Sequence, residues 1–162
     1  MEGYLHGIVV AARGVPTTLA ISFIAVCIGL IVGLLVAVAK RSNYKILRGI
    51  ATIYVDLLRG TPLLVQVLIL GYGIPQVITA LFGIQFHWDP LILVGFIACG
   101  INSSAYMAEI IRSGLQAVDI GQTEAARSLG LNSRQTMRFV IIPQAFKIIV
   151  PALGNEFVTL IK

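Results

Sequence analysis

Charge is scarce in this sequence. Of 162 residues only 12% are Asp, Glu, Lys or Arg, while 57% are hydrophobic, a balance that excludes an ordinary soluble globular domain and places the chain in a bilayer. Cysteine is nearly absent as well: Cys27 and Cys99 both lie inside apolar runs. A thiol there behaves as a small hydrophobe, so no extracellular disulfide framework is implied. No Gly-rich phosphate loop ending in Gly-Lys-Ser or Gly-Lys-Thr occurs, and no nucleotide site is read from this chain. The formal net charge of +5 comes from residues that follow the loops rather than from a basic patch interleaved with aromatics, which excludes a nucleic-acid interface.

What the sequence does contain is long runs free of charge. A spanning helix needs about 20 predominantly apolar residues, and residues 17–39, 60–86 and 90–108 each lack Asp, Glu, Lys and Arg. A fourth run, 139–161, is interrupted by Lys147, Pro151 and Glu156. The first run is too long for a cleavable signal and is preceded by Glu2 with only Arg13 as a basic group, so it reads as a permanent span. Gly29 and Gly33 within it have the spacing of a close helix–helix approach. Lys40, Arg41, Lys45, Arg48 and Arg59 follow the first span; Arg112, Arg127, Arg134, Arg138 and Lys147 follow the third; residues 75–89 have no Lys or Arg. Positive loops stay in the cytoplasm, which puts both basic stretches inside, and the N-terminus with His87, Trp88 and Asp89 outside.

Between the first two runs, residues 44–58 read as a helix on which Asp56 and Arg59 can pair. Gly60, Thr61 and Pro62 then give either one long kinked span or an interfacial helix followed by a span. Gly71, Tyr72, Gly73 and Pro75 mark the outer end of the second span. Gly71-Tyr72-Gly73 is also a shallow match to the carbonyl-lined filter of a potassium channel, but Ile69 and Leu70 precede it in place of Thr-Val.

On the third run Asn102, Tyr106, Glu109 and Ser113 recur at helical spacing and share one face, with Ala105 between them. Lipid cannot satisfy such groups. The face serves either interhelical hydrogen bonding with a Glu109–Arg112 ion pair, or a transport path. Gln66 and Glu156 present the same pair of alternatives.

Residues 119–130, DIGQTEAARSLG, are too polar to cross a membrane. Asp119 and Gln122 have capping-box spacing, Glu124, Ala125 and Ala126 favour helix, and Gly130 is placed to end one in the left-handed conformation. Asn132 with Gln135 offers a second N-terminal cap, and the chain returns through Arg134 and Arg138 to an apolar stretch and Pro143. The residues alone describe a helix, a glycine elbow and a second helix between two spans, either a docking element or an ordinary connector.

Glu124-Ala125-Ala126, three residues, Gly130, nine residues and Val140-Ile141-Ile142-Pro143 resemble the EAA loop of binding-protein-dependent ABC importer permeases. That pattern ends Ile-x-Leu-Pro, from which Val140 and Ile142 depart conservatively. Residues 59–66 (RGTPLLVQ), residues 102–112 with Ala105-Tyr106 and Ala108-Glu109, and Leu153-Gly154-Asn155 are similar to permeases for histidine, glutamine, glutamate, arginine and related polar amino acids.

The resemblance implies an all-α integral membrane protein, a type I ABC importer transmembrane domain over residues 1–162 with a cytoplasmic coupling loop at about 114–138, in a bacterial cytoplasmic membrane. It also implies about five spans, of which four are visible, so a further span is expected beyond Lys162. The implied partners are an ATPase dimer that binds ATP and Mg, a second identical or similar permease subunit, and an extracytoplasmic amino-acid-binding protein; no cofactor is implied in this chain. Glu124, Ala125, Ala126, Gly130 and Pro143 would couple to the ATPase. Asn102 and Tyr106 would meet the amino acid's backbone groups, Glu109 a basic side chain or a gate, with Gln66 and Glu156 as further path residues.

Overall fold

The computed structural model describes residues 2–162, with side chains from Gly7 onward. Its elements are helices: α1 (Glu2–Lys40), α2 (Lys45–Gly60), α3 (Leu63–Phe82), α4 (Ile92–Gln116), α5 (Ile120–Ser128) and α6 (Ser133–Ile161). Four of them, α1, α3, α4 and α6, are long and apolar enough to cross a membrane. At 1.5 Å per residue the 39 residues of α1 extend roughly 58 Å, about twice the hydrocarbon thickness, so α1 must tilt or project beyond it.

Small residues set how closely these helices approach. A Cβ added at Gly33 would stand 2.8 Å from the Ser104 carbonyl oxygen and 2.9 Å from the Met107 Cβ; one at Gly29 would stand 2.8 Å from the Ser103 Oγ. With Ala25, Ala37, Ala105 and Ala108 also buried, α1 and α4 pack nearly backbone to backbone, which dispersion favours where lipid supplies no hydrophobic drive. Contacts of Ile21 with Gly95, Ile28 with Gly100 and Gly33 with Ala108 advance together, so α1 and α4 run the same way. Helix α6 runs against them: Ile149 packs on Gly114, and Ser22 donates a 3.1 Å hydrogen bond to the Leu160 carbonyl. The outer faces carry Phe23, Ile31, Leu35 and Val38 well exposed, a continuous apolar surface that suits lipid.

Of the two sequence readings around Pro62, the structure adopts a separate helix followed by a span. Thr61 and Pro62 are extended (φ −117°, ψ 141° and φ −61°, ψ 136°), and α3 starts at Leu63. Helix α2 buries Ala51, Val55 and Leu58 against α1 and α4, and Tyr54 Oη lies 2.6 Å from Ser104 Oγ.

The expected outer end at Gly71–Pro75 is not where α3 stops. The helix passes through it in a π-helical turn, Ile69–Gly73, and ends at Gly83 (φ 68°). The physical reason is Pro75, which has no N–H to donate: the Ile74 N–H bonds instead to the Ile69 carbonyl, widening the turn, and the Leu70 carbonyl accepts the Trp88 indole N–H at 2.8 Å. A second π turn, Met137–Ile141, precedes Pro143 in the same way, and both prolines stand in the triplet Ile-Pro-Gln. Because Gly71-Tyr72-Gly73 is helical, its carbonyls lie in the helix ladder and do not line a filter.

Candidate functional site: a helix break and a capped loop

The first candidate region is the break at Gly60–Pro62, where backbone groups lose their helical partners. Side chains take up several of them. Thr61 Oγ1 donates to the Leu57 carbonyl at 2.9 Å, and Gln66 Nε2 donates to the Leu58 carbonyl at 2.9 Å and to Thr61 Oγ1 at 2.8 Å. Asn102 Nδ2, on α4, donates to Gln66 Oε1 at 3.1 Å. The structure thus brings Gln66 and Asn102 together, and both hold the break; Asn102 is 6% exposed.

One turn further along α4, Tyr106 presents its ring to the Arg59 guanidinium, 5.3 Å from the centroid, a cation–π contact worth about 0.5–2 kcal/mol. The Asp56–Arg59 pair expected from spacing does not form: among the described residues the ion pairs are the two on Glu109. Arg59 turns instead to the Tyr106 ring. Because Ile149 lies against Gly114 and Leu160 against Ser22, Glu156, between them, stands at the level of the middle of α4. Arg59 and Tyr106 meet beside the break, from α2 and α4. Arg59 escaped the sequence reading as a site residue because a basic residue after a span is counted first as a topological signal.

Glu109 lies elsewhere on the face. Its carboxylate accepts from Lys40 Nζ at 3.3 Å and from Arg112 Nε at 2.9 and 3.0 Å, with Arg112 Nη2 also in contact. Both oxygens are occupied by cations, which favours the ion-pair reading over a role in the path. The Lys40 partner was missed, since nothing local relates residues so far apart in the chain. Ser113 donates only to the Ile110 carbonyl.

The second region is the loop at the basic end. Asp119 caps α5 through the Gly121 N–H at 2.7 Å; Gln122 does not complete the box but instead accepts from Gln144 Nε2 of α6 at 3.0 Å. At the other end Leu131 N–H bonds to the Ala126 carbonyl and Gly130 N–H to the Arg127 carbonyl, with Gly130 at φ 84°. That is the Schellman arrangement, in which a left-handed glycine satisfies the last carbonyls. Asn132 and Gln135 form a full capping box, and Arg127 donates to Ser133 Oγ at 2.9 Å, bracing the elbow. Ala126 is buried within the loop's own packing, while Glu124 and Ala125 are exposed. Ile120 and Leu129 are 74% and 82% exposed on either side of Glu124, an apolar pair that the motif does not single out. Pro143 follows the π turn that opens α6.

Helices of spanning length bundled through glycines, with a doubly capped polar hairpin at the basic end, define a multi-pass helical membrane protein. The chain belongs to the binding-protein-dependent transport system inner membrane components, whose family profile matches residues 25–162. Among curated proteins it is 42% identical over 150 residues to a probable amino-acid ABC transporter permease, YckA of Bacillus subtilis, covering 93% of this chain and 63% of the relative. It is 39% identical to the arginine transport system permease ArgU of Corynebacterium glutamicum, covering 90% of this chain and 48% of that protein. It is 40% identical to a putative glutamine transport system permease, GlnP of Rickettsia prowazekii, with 98% and 70% covered.

This chain therefore spans about half to 70% of the length of these relatives. A crystal structure of an amino acid ABC transporter with histidines superposes with a TM-score of 0.86 at 46% identity, covering 99% of this chain and 71% of the other. An inward-facing MetNI methionine ABC transporter superposes at 0.62 with 24% identity, covering 93% and 69%, a likeness of fold alone. The fold is the all-helical transmembrane fold of type I ABC importers.

Proposed function

We propose that the chain forms the membrane-spanning part of an ATP-driven importer of polar amino acids. The observation that carries the reading is the α5 hairpin, braced so that it moves as a unit. The Schellman cap, the Arg127–Ser133 bond and the Gln122–Gln144 bond tie it to the first turns of α6. A separate ATPase, which would hold ATP and Mg, docks over Glu124 and Ala125 with Ile120 and Leu129 as flanking anchors. The assembly holds an ATPase dimer, a second permease subunit and an extracytoplasmic amino-acid-binding protein, with the N-terminus of this chain outside.

Displacement of α5 pulls on α6 on both sides of its π turn. Because α6 carries Glu156 at the level of the middle of α4, the same movement shifts Glu156 relative to the helix break. A free amino acid offers one carboxylate and one ammonium, and the Arg59 guanidinium and the Glu156 carboxylate carry the complementary charges. Asn102 and Gln66 hold the break in register. A broken helix near the middle of a bundle is where a transporter can place polar backbone without exposing it to lipid.

Gly130→Val tests the reading. A β-branched residue at φ 84° costs about 1–2 kcal/mol, roughly a five- to thirtyfold shift against the capped form. In proteoliposomes containing the binding protein and the ATPase, uptake driven by ATP is expected to fall by about that factor while the permease still folds. Unchanged uptake with unchanged ATPase co-purification contradicts the coupling role.

A further inference from the structure

At the basic end of the bundle an apolar groove of about 400 Å³ runs between α1, α4 and α6, walled by Leu34, Val38, Ile111, Met137, Phe146 and Ile149. It opens directly into a polar pocket of about 600 Å³, with Arg41, Arg112, Leu115 and Met137 lining both. The pocket adds Lys40, Gln116 and Thr123 and contains no acidic residue in its lining. We propose that this composite site binds an anionic phospholipid, its acyl chain in the groove and its phosphate among Lys40, Arg41 and Arg112.

Charge argues for the headgroup. Three cations face the pocket; two of them, Lys40 and Arg112, share the Glu109 carboxylate, and Arg41 makes no ion pair among the described residues. An excess of positive charge stands where a phosphodiester would supply the missing negative one. Gln116 and Thr123 add side-chain donors for its remaining oxygens. Placement argues for the tail. Leu34 and Val38 are 53% and 65% exposed and lie in the last turns of the apolar run of α1, so the groove is open to the hydrocarbon region, while the cations follow at the level of the headgroups. A basic pocket between spanning helices at a positively charged membrane face is the general geometry of anionic-lipid recognition. Thr123 belongs to α5, so a bound lipid would rest between the hairpin and the spans it moves.

Native mass spectrometry tests the proposal on the protein extracted in mild detergent with whatever subunits accompany it. Phosphatidylglycerol is expected to survive partial delipidation and to bind about fivefold more tightly than phosphatidylethanolamine, the effect of roughly one surface cation. Arg41→Gln should remove that preference without changing the melting temperature, and Leu34→Trp, which fills the groove, should weaken both lipids. Equal retention of the two lipids, or a preference unaltered by Arg41→Gln, overturns the site. Glycerol 3-phosphate displacing phosphatidylglycerol at equal concentration would show that the headgroup alone is recognised and would also overturn it. So would a crosslink from Leu34→Cys to another stretch of this chain, or to a second copy, in protein that retains no lipid.

Discussion

Gln66 shows what a single polar side chain does in a membrane. Its amide stands in for the helical N–H groups lost between Gly60 and Pro62, and it accepts from Asn102 in turn. Gln66→Leu keeps the volume and removes the donors, leaving the Leu58 carbonyl with a weak 3.4 Å contact to Asn102. A buried group left unpaired costs about 1–3 kcal/mol, so the melting temperature in detergent should fall by several degrees, whereas Gln66→Glu in protonated form should lose less. Glu109 illustrates the opposite case, a carboxylate saturated by Lys40 and Arg112. At this scale the sequence was informative about residue type and silent about partners. The polar stripe on the third span was visible from spacing, but that Asn102 meets Gln66 while Glu109 meets Lys40 depends on helices far apart in the chain.

Elements were legible where charge or capping marks them. Charge-free runs marked three of the spans, the fourth stood out as an apolar run despite Lys147 and Glu156, and Asp119, Gly130, Asn132 and Gln135 marked the hairpin, because each cap is a local bond between neighbours. Helix α3 was not legible beyond its core: Gly71-Tyr72-Gly73-Ile74-Pro75 reads as a terminus, yet a π turn and the Trp88 indole carry the helix through it. No local rule tells a proline that ends a helix from one that widens it. The α1–α4 seam gives a prediction for its elements. Gly33→Leu drives a side chain into the Ser104 backbone and should cost about 1–3 kcal/mol or more by overpacking, while Gly14→Leu, with nothing within 4 Å of its Cβ position, should be neutral. Thermal unfolding of the two variants in the same detergent checks this. Equal melting temperatures would mean that α1 does not press on α4.

For the whole molecule, a polar hairpin and a polar helix break sit at different depths of one bundle. Helix α6 is bonded to α5 through Gln144 and carries Glu156 at the level of the middle of α4. In the function proposed above, such an arrangement converts displacement at a membrane face into rearrangement at its middle, provided that the hairpin faces the compartment where the motor works. Side-specific labelling of Glu124→Cys measures this most directly, since Cys27 and Cys99 lie within spans and should react poorly with a charged maleimide. The account predicts labelling in inverted vesicles, none in intact cells, and protection when the partner ATPase is added. Labelling of intact cells would contradict it.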